Sequence, residues 1–214
     1  MTLELYTFYR SSAAYRVRIA LNYKGLSYTP ITLHLRRNEH RRADYLSLNP
    51  QGLVPALAHD GAVIPQSVAI MEYVEERYPE PALLPAAGVD RALVRSMAQS
   101  IVSEMHPLCN LRVLNYLKDE LGQDEAAVRA WYARWIDHGF GPLEKMVERY
   151  GDGKTHCFGD SVTMADVCLV PQMFNAQRFE CDLTPYPRLT AIAAALEPHP
   201  AFAQAHPSEQ PDAE

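Results

Sequence analysis

The sequence predicts an α/β domain followed by an all-helical one. Three observations carry this reading. Short apolar runs of strand length alternate with helical periodicity as far as Tyr78. Residues 79–90, Pro-Glu-Pro-Ala-Leu-Leu-Pro-Ala-Ala-Gly-Val-Asp, then form a linker rich in helix breakers. Beyond it only helical patterns recur. The predicted domains are residues 1–82 and 90–214.

In chain order, residues 3–8 and 28–33 read as strands flanking a helix over 12–24. Ala14, Val17, Ala20 and Leu21 share one face of that helix, and Gly25 supplies its left-handed stop. A polar stretch leads to Asn49-Pro50-Gln51-Gly52-Leu53-Val54-Pro55-Ala56-Leu57, where Pro55 removes a ladder donor at a strand start. Val63 and Ile64 make another strand after the turn pair Asp60-Gly61. Gln66-Ser67 opens a helix striped by Ile70, Tyr73 and Val74 and ended by Pro79. The order β-α-β, then β-β-α, is a thioredoxin-like layout.

In the second half Asp90 is placed to cap a long helix reaching about Lys118, interrupted at His106-Pro107 because proline lacks the helical donor. Asp124 can cap another, to about Tyr150. Thr163-Met164-Ala165-Asp166 has the form of a capping box, with Val162 and Val167 as its hydrophobic staple. The helix behind it carries Val170, Phe174 and Arg178. Pro187 can start one more, and the polar tail from Pro207 is expected to be loose.

With 48% hydrophobic and 21% charged residues, the 214-residue chain can bury a packed core. A net charge of −6 points away from nucleic acid, whose phosphates need clustered cations. Cations do cluster locally: residues 36–42 read Arg-Arg-Asn-Glu-His-Arg-Arg, and Arg10, Arg16 and Arg18 lie near the start. That suits a small anion, although 36–42 reads equally well as a solvated loop. No apolar run approaches the ~20 residues that span a membrane, and the first residues lack a signal-peptide pattern. Cys109, Cys157, Cys168 and Cys181 show no CxxC spacing and read as reduced thiols of a cytoplasmic protein. Neither HExxH nor paired Cys/His clusters occur, so no metal is expected.

The most informative segment is Arg10-Ser11-Ser12 ahead of Tyr15-Arg16-Val17-Arg18-Ile19-Ala20-Leu21. Hydroxyls in the first turn of a helix sit beside unpaired N–H groups and the positive end of the dipole. A thiolate is favoured there, and Arg10 can receive a carboxylate. His34, His59, His138, His156, His199 and His206 carry no comparable context. Trp131 and Trp135 read as core, and Asp166 as a cap.

These segments resemble the zeta class of glutathione transferases, the maleylacetoacetate and maleylpyruvate isomerases. The resemblance runs through Arg10-Ser11-Ser12 with Tyr15 to Leu21, Leu48 to Leu57, Gln66-Ser67 with Ala69-Ile70, His106-Pro107 with Asn110, Phe158-Gly159-Asp160, Ala165-Asp166 and Asp182-Leu183-Thr184-Pro185-Tyr186-Pro187. It implies a glutathione transferase fold, glutathione as cofactor, a cis Val54-Pro55 bond, a homodimer and an anionic maleyl diacid substrate. It implies that Ser11 or Ser12 holds the thiolate and that Arg10 and Arg178 bind the substrate. His40, Gln51, Val54, Gln66 and Ser67 would contact glutathione, joined from the second domain by His106, Asn110 and Arg112. In several members a cysteine follows the two serines; Ala13 stands here, which argues against reductive dehalogenation. The maleylpyruvate branch carries an extra arginine where Leu111 stands, which favours maleylacetoacetate. A general conjugating transferase and a non-catalytic glutathione-binding protein are the alternatives.

Overall fold

The computed structural model describes residues 2–86, 88–151 and 155–214. They form two compact units, Met1–Leu83 with Pro198–Glu214, and Leu84–Glu197.

The first unit is built on a four-stranded sheet of order β2-β1-β3-β4, from β1 (Leu3–Thr7), β2 (Tyr28–Thr32), β3 (Ala56–His59) and β4 (Ala62–Pro65). β1 pairs parallel with β2 and antiparallel with β3. The parallel pair needs a crossover, supplied by α1 (Ser12–Tyr23). Asp60 and Gly61 both have positive φ, 51° and 81°, so β3 and β4 meet in the two-residue turn the sequence predicts. α3 (Ser67–Arg77) lays Ile70 and Val74 on Leu3, Leu5, Val17, Leu21 and Leu57, the unit's main core. The polar stretch after β2 holds a short helix, α2 (Ala43–Leu48), that its sequence does not announce.

Two expectations fail at the C-terminal end. Residues 198–214 pack with the first unit, so the helical unit stops at Glu197 and not at Glu214. The tail is also not loose. α9 (Pro200–Ala205) lies on α1, where Asn22 Nδ2 donates to the Ala201 carbonyl (3.2 Å) and Arg18 Nε to the Ala205 carbonyl (3.0 Å). Farther along, the Asp212 carboxylate accepts the Tyr9 N–H (3.0 Å), and Glu214 accepts from Arg37 (3.3 Å) and pairs with His34 (3.0 Å). These are partners distant in sequence, so local polarity misreads the tail as solvated.

The second unit holds α4 (Gly88–Gln99), α5 (Leu111–Asp119), α6 (Glu125–Tyr150), α7 (Met164–Arg178) and α8 (Pro187–Leu196). The long helix expected from Asp90 begins at Gly88, with Asp90 in its first turn instead of at the cap, and passes into a π-helical turn, Ser100–Met105, before Pro107. Asp124 caps α6 through Ala127 N–H (2.8 Å), and the Thr163–Asp166 capping box is present. The π turn packs on α6 at Gly139, where an added Cβ would fall 2.1 Å from Cγ and Sδ of the fully buried Met105. Gly139→Ala is therefore expected to destabilise the protein by about 1–3 kcal/mol, read as a lowered urea midpoint. A wild-type midpoint would mean that Met105 repacks freely.

Candidate functional site

Phe8 to Ser11 form a tight turn closed by Ser11 N–H to the Phe8 carbonyl (3.0 Å). Ser11 is the N-cap of α1; its Oγ accepts the Ala14 N–H (3.2 Å). Accepting this bond leaves the hydroxyl proton available to donate, and Ser11 is half-buried while Ser12 is buried. The Arg10 guanidinium lies over the Tyr9 ring, 5.1 Å from its centroid.

Arg16 and Arg18 are not part of a surface anion face. Both are fully buried. Arg18 donates to Thr7 Oγ1 (3.1 Å) and to the Phe8 (3.4 Å) and Tyr9 (3.0 Å) carbonyls, bracing the turn from inside. Burial lowers its pKa to about 10, which leaves it charged at neutral pH. Arg16 Nη1 reaches Ser67 Oγ (3.4 Å), so a buried cation stands behind the N-terminus of α3.

That N-terminus is unusual. Gln66 adopts φ 73°, a left-handed conformation that strains a residue with a side chain. Its Nε2 donates to Gln51 Oε1 (2.8 Å), tying two expected glutathione contacts together. Ser67, in the first turn, is buried. The Val54–Pro55 bond is cis. The β3 ladder starts only at Ala56, so the Val54 backbone is not used by the sheet. Tyr45 Oη (2.6 Å) and Asn49 Nδ2 (2.8 Å) both donate to the Leu53 carbonyl and hold this segment from α2. Sequence reasoning misses Tyr45 and Asn49 in that role, because no local pattern marks α2 as a helix.

His40 lies in a 3₁₀ turn, Glu39–Arg41, and its Nδ1 is shielded without a hydrogen-bond partner among the described residues. Burial, then the Arg41 cation, holds its pKa below the ordinary histidine value, so the ring is neutral at physiological pH. These features fit glutathione: a helix N-cap hydroxyl for sulfur, a Val54 backbone outside the β3 ladder, a neutral unpaired imidazole nitrogen, and a polar helix N-terminus backed by a cation.

The helical unit carries the other candidates. Arg178 is exposed at the end of α7, with its guanidinium 4.8 Å from the Phe179 ring centroid; Phe179 stacks on Tyr132 at 3.8 Å. Arg178 and Leu111 line one cavity of about 210 Å³, together with Leu114, Lys118 and Arg129. The residue expected to bind substrate and the position expected to separate two substrates are thus brought together. His106, Asn110 and Arg112 do not line it. Asn110 is the N-cap of α5 and accepts the Arg112 N–H (3.2 Å); Arg112 is exposed. Cys109 and Cys181 are pushed up by burial to about 12 and about 11, so both thiols are protonated at neutral pH. Among the described residues no group of three His, Cys, Asp or Glu is placed to hold a metal, and no helix is long and apolar enough to cross a membrane.

A thioredoxin-like unit of this sheet order and an all-helical unit define the class of protein, a glutathione transferase. The family description "glutathione S-transferase, N-terminal domain" matches residues 5–82. The chain is 47% identical to maleylacetoacetate isomerase of Pseudomonas aeruginosa, over 98% of each chain. A holo structure of maleylpyruvate isomerase, described as a bacterial zeta-class glutathione S-transferase, superposes with a TM-score of 0.96 at 45% identity, covering 99% of this chain and 100% of that one. Maleylacetoacetate isomerase of Anaeromyxobacter dehalogenans, solved with dicarboxyethyl glutathione and citrate in the active site, superposes at 0.88 with 40% identity, covering 100% and 98%. The chain belongs to the zeta-class glutathione transferase family of maleylacetoacetate and maleylpyruvate isomerases.

Proposed function

We propose that this protein is a glutathione-dependent cis–trans isomerase that converts maleylacetoacetate to fumarylacetoacetate. The observation that carries the proposal is 47% identity along the whole chain to an isomerase of that name. Glutathione, when bound, supplies a thiolate that adds reversibly to the cis double bond, which turns as a single bond before the thiolate leaves. Nothing is oxidised and the cofactor returns unchanged.

Ser11 donates its hydroxyl proton to the sulfur and keeps it ionised, helped by the N-terminus of α1. The Ala14 N–H polarises that hydroxyl in the donating direction. Gln66 and Ser67 receive the glutamyl carboxylate, with Arg16 behind Ser67 favouring the negative charge. Val54 pairs with the cysteinyl backbone, and Gln51 and His40 flank the peptide. Arg10 and Arg178 take the substrate carboxylates and stabilise the enolate charge that develops during addition. The protonated thiols of Cys109 and Cys181 are poor nucleophiles, consistent with sulfur coming from glutathione. His106, Asn110 and Arg112 keep the glutathione or substrate contacts that the resemblance implies.

Maleylpyruvate is the second substrate to consider, since a relative of that name superposes closely. Leu111, an apolar residue in the Arg178 cavity, favours the longer diketo acid. Supplying each diacid with and without glutathione tests both points. We expect turnover of maleylacetoacetate at a higher kcat/KM than maleylpyruvate, and none without glutathione. The reverse preference would overturn the substrate assignment, and full activity without glutathione the mechanism. Residence in the cytoplasm belongs to the same proposal, supported by cysteines that form no disulfide among the described residues, as does a homodimer, which sedimentation would check.

A further inference from the structure

We infer that Asp212, in the C-terminal segment, is a positioning residue for the Arg10-Ser11 pair; the inference rests on the glutathione site assigned above. In the turn closed between Phe8 and Ser11, Tyr9 occupies the first central position, whose N–H has no partner within the turn. Tyr9 is buried, so that N–H needs an acceptor from elsewhere. Asp212 Oδ2 supplies it at 3.0 Å, from a residue 203 positions away. On the other side of the same residue, Arg18 Nη2 donates to the Tyr9 carbonyl at 3.0 Å.

Tyr9 is thus held between a buried cation and a carboxylate, one on each backbone polar group. Its ring is the surface on which the Arg10 guanidinium lies, and the turn it fixes delivers Ser11 to the N-cap of α1. Both expected anion sites therefore inherit their placement from Tyr9. The segment bearing Asp212 is itself anchored, by Gln210 Nε2 on the Gln204 and His206 carbonyls (both 2.9 Å) and by Glu214 on His34 and Arg37. Such an anchored strap fixes the turn, which a mobile tail would not do. A charge-assisted bond from the carboxylate is also stronger than a neutral one.

The test compares wild type, Asp212→Ala and Asp212→Asn by the ultraviolet thiolate band of bound glutathione against pH, by kcat/KM for isomerisation, and by Tm. Asp212→Ala is expected to raise the apparent pKa of the bound thiol by about one unit, equivalent to a tenfold loss of thiolate below it, and to lower kcat/KM on the order of 10- to 100-fold. Asp212→Asn, which keeps a weaker acceptor, is expected to recover most of the loss and stay within about threefold of wild type. Wild-type thiol pKa and kcat/KM in a folded Asp212→Ala protein would overturn the inference. If that variant does not fold, Asp212→Asn decides: a thiol pKa raised by up to about half a unit, the same threefold loss expected of the weaker acceptor, supports the inference, and values indistinguishable from wild type for both quantities overturn it. Wild-type protein that binds glutathione as thiolate yet fails to isomerise would refute the proposed reaction while leaving the role of Asp212 to be read from the thiol band.

Discussion

Asp166→Ala is expected to cost about 4 kcal/mol of stability, beyond the roughly 0.5–3 kcal/mol of most point substitutions. The Asp166 carboxylate is fully buried at the start of α7. One oxygen accepts the Cys157 N–H (2.7 Å), and the other accepts the Thr163 N–H (2.7 Å) and the Thr163 hydroxyl (2.9 Å). Burial pushes the carboxyl pKa up, and the hydrogen bonds from Cys157 and Thr163 pull against it. Truncation leaves buried donors without an acceptor, at about 1–3 kcal/mol each. Natural domains have only about 5–15 kcal/mol in total, so low soluble yield and a large fall in urea midpoint should follow. Asp166→Asn should lie between, since one amide oxygen can serve Thr163 but the NH₂ faces the Cys157 N–H. A loss under about 1 kcal/mol for the alanine variant, the size of a single ordinary hydrogen bond, would show that the loop around Cys157 finds other partners.

The second large effect is on chemistry. Ser11→Ala removes the hydroxyl assigned to the glutathione sulfur, and turnover at neutral pH should fall about 100-fold or more, as for loss of one preorganised donor to a developing anion. The pH profile gives the sign. Without the donor the bound thiol has a higher pKa, so the thiolate fraction drops at neutral pH and part of the activity returns as pH rises through the new value. Ser12, buried within the first turn, should tolerate alanine with a smaller change in rate. The lost N-cap adds about 1 kcal/mol of destabilisation, too little to account for the rate. An unchanged rate in Ser11→Ala would remove this serine from the mechanism.

Local signals make much of the fold legible in the sequence. The Asp60-Gly61 turn, the Asp124 cap and the Thr163–Asp166 box each depend on residues within a few positions of one another. The structure places them where the sequence does. The errors share a different cause. Arg18 reads as surface charge until the Phe8, Tyr9 and Ala205 carbonyls that surround it are known. The tail reads as solvated until Asp212 is seen on Tyr9. The π turn before Pro107 sets Met105 close against Gly139, a contact no periodicity encodes. The candidate site is legible mainly through its resemblance to a family. Spacing alone suggests an anion at Ser11-Ser12, whereas the coupling of Gln51 to Gln66 and of Arg16 to Ser67 emerges only from the fold.

The central claim is that the glutathione sulfur adds to the substrate and leaves again, held by Ser11. The most direct measurement replaces glutathione with S-methylglutathione, which keeps every group that Gln51, Val54, Gln66 and Ser67 are proposed to bind but has no nucleophilic thiol. The protein is expected to bind this analogue, to turn over no maleylacetoacetate with it, and to recover full activity when glutathione displaces it. Isomerisation sustained by S-methylglutathione alone would contradict the account.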